Sequence, residues 1–147
     1  MSNIRKPRRI NPYHRGYLRS PAWFARRDQW FKDERHRTGS VACAACLVDG
    51  TARTLELHHL DYSGVERTDA GWRAQEAHSD LVAVHPYCHE LLHRLLDRDR
   101  LLARHRDRRT ASLSALLRLR RKLREMGSSP VVWCHSGCSL WWVMVRR

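Results

Sequence analysis

The sequence predicts an α+β domain in which helices surround a small pair of strands. Three observations carry that prediction. Cys43-Ala44-Ala45-Cys46 and His85-Pro86-Tyr87-Cys88 are two short pairs of metal-ligand side chains. Residues 54–60 and 81–84 are short apolar runs of strand length, each running into histidine. Apolar residues at helical spacing lie before the first run and after the second.

In chain order, residues 1–19 form a basic, flexible arm carrying Arg5, Lys6, Arg8, Arg9, Arg15 and Arg19, and Pro7, Pro12 and Gly16 interrupt any helix there. Ser20-Pro21 is a helix start, because serine caps the first free N–H groups and proline suits the first helical position. Trp23, Trp30 and Phe31 share one side of that helix, Arg26 and Arg27 point elsewhere, and Gly39 stops it. Asp49-Gly50 is a turn dipeptide. Residues 61–79 read as a polar loop containing Arg67, Trp72 and Arg73.

A helix is expected from about His89, with Leu91, Leu95 and Leu102 on one ridge and Leu92, Leu96 and Ala103 on the next. A second, basic amphipathic helix fits residues 111–127. Its core reads from Ser112 to Met126, with Leu116, Leu119, Leu123 and Met126 as its stripe and Arg118, Arg121 and Lys122 outside. The last stretch, residues 128–147, is an apolar, Trp-rich tail. Two strand-like runs about Gly137 make a hairpin, and Trp133, Trp141 and Trp142 offer a surface for a homodimer or a protein partner.

Charge narrows the partners. The 147 residues include 28 Lys and Arg against 15 Asp and Glu, a net +13, and nearly all the cations are arginines. A field of that sign attracts polyanions, and the guanidinium fork matches phosphate oxygens. No run approaches the roughly 18 apolar residues of a membrane span. No apolar segment follows the basic N-terminal residues as in a secretory signal. With Cys-x-x-Cys and an odd total of five cysteines, the chain reads as a metal-binding protein of a reducing cytoplasm rather than a disulfide framework.

Cys43, Cys46, His85 and Cys88 give three thiolates and one imidazole, a closed structural zinc set. The alternative is a buried cysteine pair beside an ordinary exposed histidine. Cys134, His135 and Cys138 also have ligand chemistry at short spacing; they could replace His85, form a second site or pack as small apolar groups. His89 and His93 are four apart and share a helical face, and a third histidine from the His58-His59 pair would complete a three-imidazole set with coordination positions to spare.

The run Leu55-Glu56-Leu57-His58-His59, then Asp80-Leu81, then Cys88-His89 and His93, resembles the HNH or ββα-metal nuclease motif. The likeness covers about residues 17 to 95. The lead-in from Tyr17 to Trp23 is similar to the helix before the motif in small phage and bacterial HNH proteins, and the histidine pattern is similar to that of the nuclease colicins. The resemblance implies a ββα-metal core within a nuclease domain of residues 20–110. It implies metal-dependent hydrolysis of DNA phosphodiester bonds with little sequence readout, in the bacterial cytoplasm, by a host- or phage-encoded chain. In that scheme His59 is the general base. His58, His89 and His93 hold a catalytic divalent ion (Mg2+, Mn2+, Ni2+ or Zn2+), and a separate structural Zn2+ sits in the knuckles.

Asp80 stands where the family often has Asn, and would orient His59 by a hydrogen bond and favour its protonated form. Arg19, Arg26, Arg27 and Arg94 would grip the DNA backbone. His85 replaces a cysteine usual in the second knuckle, and the loop 61–79 is longer than in compact members. The competing readings are a non-catalytic, zinc-stabilised DNA-binding module and a nuclease acting as a toxin or defence effector.

Overall fold

A single turn of 3₁₀ helix, Tyr17–Arg19, leads into helix α1, Pro21–Thr38, in this computed structural model, which describes residues 16–98 and 107–127. The arm up to residue 15, the positions of Leu102 and Ala103, and the tail 128–147 with Cys134, His135 and Cys138 lie outside those residues. Helix α1 begins and ends as its sequence dictates. Ser20 Oγ accepts from Trp23 N at 3.2 Å, Pro21 occupies the first turn, and Gly39 ends it at φ 80°, donating to Arg35 O at 2.8 Å. Trp23, Trp30 and Phe31 form its buried face. Trp30 donates Nε1–H to His78 O at 3.0 Å and stacks on the His78 ring, which fixes α1 against the turn His78–Asp80.

The remaining architecture is mixed α and β, with small antiparallel ladders between helices. Strands β1, Val41–Ala42, and β2, Asp49–Gly50, pair across the Cys43–Cys46 turn. Strand β3, Glu56–His59, pairs with β6, Leu81–Val84, in the register His59 to Leu81 and Glu56 to Val84. Alternation puts Glu56 and His58 on one face of β3, and Leu57 and His59 on the other. Three of those four residues, Leu57, His58 and His59, are buried, because the strand is covered on both sides.

The segment expected as an irregular loop folds into a hairpin of β4, Val65–Thr68, and β5, Gly71–Ala74. Its apolar signal is short. Only Val65, Trp72 and Ala74 pack inward, and Trp72 rests against Tyr17 with ring centroids 5.6 Å apart. Gly64 sets the base of this hairpin. A Cβ there would meet the Gln75 carbonyl carbon and Glu76 N at 2.3 Å, where Gln75 N donates to Gly64 O at 2.7 Å. Gly64→Ala is therefore expected to cost about 1–3 kcal/mol of strain and to lower Tm by roughly 3–10 °C; an unchanged melting curve would count against this close approach.

Helix α2, Pro86–Arg98, starts three residues before the expected His89, because Pro86 with its fixed φ serves as the first helical residue. Cys88, His89 and His93 thus all belong to one helix. Helix α3, Arg108–Gly127, also starts earlier than Ser112, since Asp107 caps it through Thr110 N at 2.9 Å. Its small residues Ala111, Ser112 and Ala115 are buried with Leu116 and Leu119, so the helix packs closely. Met126, expected in the apolar stripe, is instead exposed. Among the described residues no helix is long and apolar enough to cross a membrane.

Candidate metal centres

Among the described residues, two groups of side chains converge with the chemistry of metal ligands. The first is Cys43, Cys46 and Cys88, whose sulfur atoms all lie within 4.8 Å of one another. The turn after β1 supplies two of them and the first turn of α2 the third. Tetrahedral ligation by thiolates places sulfurs roughly 3.8 Å apart, so one ion fits this triad. His85 N donates to Cys43 Sγ at 3.3 Å. A hydrogen bond from Cys88, helped by backbone N–H groups of Cys46, His85 and Ala45, draws the Cys43 thiol down to about 4. The same hydrogen bond, with burial and the Cys43 charge, pushes Cys88 upward, and burial pushes Cys46 upward. A cation can complete such a set by displacing the thiol protons. The expected fourth ligand, His85, stands alongside, with Nδ1 3.4 Å from Cys46 Sγ.

The second group is His58, His89 and His93, whose ligand nitrogens also lie within 4.8 Å of one another. His58 Nδ1 is 3.2 Å from His89 Nε2, and His93 Nε2 is 3.0 Å from the same atom. Imidazoles bound tetrahedrally at roughly 2.0–2.1 Å have nitrogens about 3.4 Å apart, so this triad also fits an ion. Two of the far nitrogens are tied down. His58 Nε2 meets the buried Ser112 Oγ of α3 at 3.3 Å, and His89 Nδ1 meets Glu56 Oε2 at 2.7 Å. Such outer contacts fix which nitrogen faces an ion. Burial, then the nearby His89, His93 and Arg108 charges, pull His58 down to about 2. It stays a neutral ligand, and because the unfolded chain takes its proton more readily, acidification below about 6.5 favours unfolding. His89 and His93 are only half-buried, so the cluster opens to the surface.

His59 lies on the other face of β3, in a different environment. It is 4% exposed, with Trp23 against one side at 4.7 Å between centroids and Tyr62 stacked at 4.8 Å. Its Nε2 is 2.9 Å from Glu76 Oε1, and the same oxygen accepts a hydrogen bond from Tyr17. Burial alone would raise the Glu76 carboxyl, but the bonds from His59 and Tyr17 outweigh it and hold it below the usual carboxylate range. Burial, the Glu76 hydrogen bond and its charge push the Tyr17 hydroxyl upward.

The orienting bond expected from Asp80 is thus made by Glu76, whereas the Asp80 carboxylate pairs with Arg109, which also donates to Ser79 O at 3.1 Å. Arg26 and Arg27 are half-buried, and their guanidinium groups are engaged by the protein itself. Arg26 donates twice to Glu76 O, at 3.1 and 2.9 Å; Arg27 donates to the carbonyls of Ala52 and Leu55 and lies over Phe31. Buried carbonyls compete with phosphate for a guanidinium, and here they hold it. Arg19 is exposed, as is Arg94 in a surface pair with Glu90.

Sequence reasoning missed Glu76, Tyr17, Glu56 and Ser112. Glu56 carried a signal, being two residues before His58 and therefore on its face. Glu76 and Ser112 carried none, since they reach their histidines across 17 and 54 positions. No family model matches this chain, and neither curated proteins nor solved structures show a match to it.

Proposed function

We propose that the chain is a metal-dependent nuclease of the ββα-metal (HNH) kind that hydrolyses DNA phosphodiester bonds. One observation carries the reading: three imidazole nitrogens, from buried His58 on β3 and half-buried His89 and His93 on α2, converge, two of them with their far nitrogens tied to Ser112 and Glu56. In this reading β3, β6 and α2 are the ββα core, and the cysteine triad holds a structural Zn2+ with His85 as its fourth ligand. His58, His89 and His93 would hold the divalent ion, which would supply Lewis-acid charge to a phosphate oxygen. Three imidazoles suit Ni2+ or Zn2+ better than Mg2+, which prefers oxygen ligands.

The chain's own groups do the rest. His59 takes the proton of the water whose oxygen bonds to phosphorus; the P–O3′ bond breaks, and the 3′ oxygen leaves as a hydroxyl with a proton from solvent, giving 5′-phosphate and 3′-hydroxyl ends. Arg108 grips the phosphate backbone: it is exposed, lies 4.1 Å from the centroid of the Tyr62 ring that covers His59, and is close enough to act electrostatically on His58. Arg19, Arg94 and the outer arginines of α3 add affinity without sequence choice.

The test is supercoiled plasmid incubated with the full-length protein and Mg2+, Mn2+, Ni2+ or Zn2+, beside EDTA and His89→Ala. Nicked or linear product that needs the metal and vanishes in His89→Ala is expected. A protein that shifts the plasmid but cuts it with no metal would overturn the reading.

The burial of His59 favours a second reading. A histidine enclosed by Trp23, Tyr62 and Glu76 can be a structural group. The two metal centres would then only pin α2 to the strands of a non-catalytic DNA-binding module.

A further inference from the structure

Glu76 is an expensive residue to keep where it is. Its side chain is 0% exposed, and an isolated buried carboxylate is strongly destabilising unless its charge is compensated. The compensation here is one-sided. Oε1 takes both the Tyr17 hydroxyl and His59 Nε2, while Oε2 has no hydrogen-bond partner among the described residues. A residue retained for packing would be better served by an apolar side chain of the same volume. The surroundings also hold residue 76 in place from its backbone. Arg26 clamps its carbonyl with two N–H donors, and the neighbouring Gln75 N–H is held by Gly64 O.

His59 is restrained in complementary ways. Trp23 and Tyr62 set the plane of the ring, at 34° and 18° to their own planes. Neither can tell one ring nitrogen from the other. The carboxylate can, because an ionised carboxylate only accepts hydrogen bonds, so the nitrogen facing it must carry the proton.

We propose that Glu76, braced by Tyr17, is a positioning residue that selects the tautomer of His59, keeping the proton on Nε2 and the lone pair on Nδ1. The inference rests on the nuclease reading, in which His59 is the base, and assigns Nδ1 as the atom that receives the proton of water. Glu76 touches neither substrate nor metal in this scheme. Its loss should therefore act on kcat and leave KM alone.

The experiment compares the metal-loaded full-length protein with Glu76→Gln and Tyr17→Phe on supercoiled plasmid. Melting curves and side-chain 1H–15N imidazole spectra are recorded on the same samples. Glu76→Gln keeps the shape but offers His59 either an acceptor or a donor. It is expected to lower kcat by about 10²–10⁴-fold at unchanged KM, as loss of an orienting carboxylate does elsewhere. Wild-type His59 is expected to show a proton on Nε2, and the variant a mixture of tautomers. Tyr17→Phe removes only the brace and is expected to lower kcat by about tenfold, which carries the test if Glu76→Gln does not fold. A Glu76→Gln protein that cuts at the wild-type rate, or wild-type His59 protonated on Nδ1, overturns the proposal while leaving the nuclease intact. A wild-type protein that cuts nothing with any metal overturns the nuclease reading and this assignment with it.

Discussion

Cys88→Ser is expected to remove most of the stability of the fold, on the order of 10 kcal/mol if the wild-type protein carries a tetrahedral ion at Cys43, Cys46 and Cys88. The size of the loss follows from where the three sulfurs sit. Two lie in the turn between β1 and β2, and the third in the first turn of α2. One ion would staple segments more than forty positions apart, next to the β3–β6 ladder that carries His58. Cys88 and His89 are neighbours on α2, so fraying that turn also disperses the histidine triad. Without an ion, Cys88 is only a small buried side chain, and its replacement by serine would cost about 1–3 kcal/mol. The two cases are far apart. Metal analysis of the purified protein, with melting curves before and after a strong chelator, decides between them. A bound ion, a collapse of Tm on chelation and an insoluble or molten Cys88→Ser are the expected results. A Cys88→Ser protein that melts within a few degrees of wild type would remove the structural ion from the account.

His59→Gln is expected to reduce DNA cleavage by about 10²–10⁴-fold while leaving DNA binding and metal content unchanged. Glutamine retains polar contact with Glu76 but cannot take a proton at neutral pH. His58, His89 and His93 are undisturbed, because His59 leaves the strand on the other side. Alanine is the poorer choice, since the side chain fills space between Trp23 and Tyr62 and its removal leaves a cavity. Single-turnover cleavage, a binding titration on uncleaved duplex and the metal content are the three readouts. Equal cleavage by wild type and His59→Gln would make His59 a structural residue and support the second reading of the fold.

Much of the architecture was legible residue by residue. Ser20-Pro21 and Gly39 bounded α1, and its aromatic face followed from spacing. The strand pair was visible as two short apolar runs, and the cysteine and histidine spacings picked out side chains that come together in two groups. These features are local: capping, alternation and the i to i+4 repeat act over a few residues and leave their mark in order along the chain.

What the tertiary structure decided was the partner of each polar group. Glu76 rather than Asp80 bonds to His59, because the β4–β5 hairpin and Gly64 bring residue 76 under the strand while Arg109 of α3 takes the Asp80 carboxylate. Arg26 and Arg27 read as free cations until the carbonyls of Glu76, Ala52 and Leu55 claimed them. Ser112 became a support for His58 only because Ala111 and Ala115 let α3 approach closely. A carboxylate or guanidinium has the same chemistry whichever acceptor or donor it meets. The choice is made by the path of the backbone, which packing of the whole chain sets.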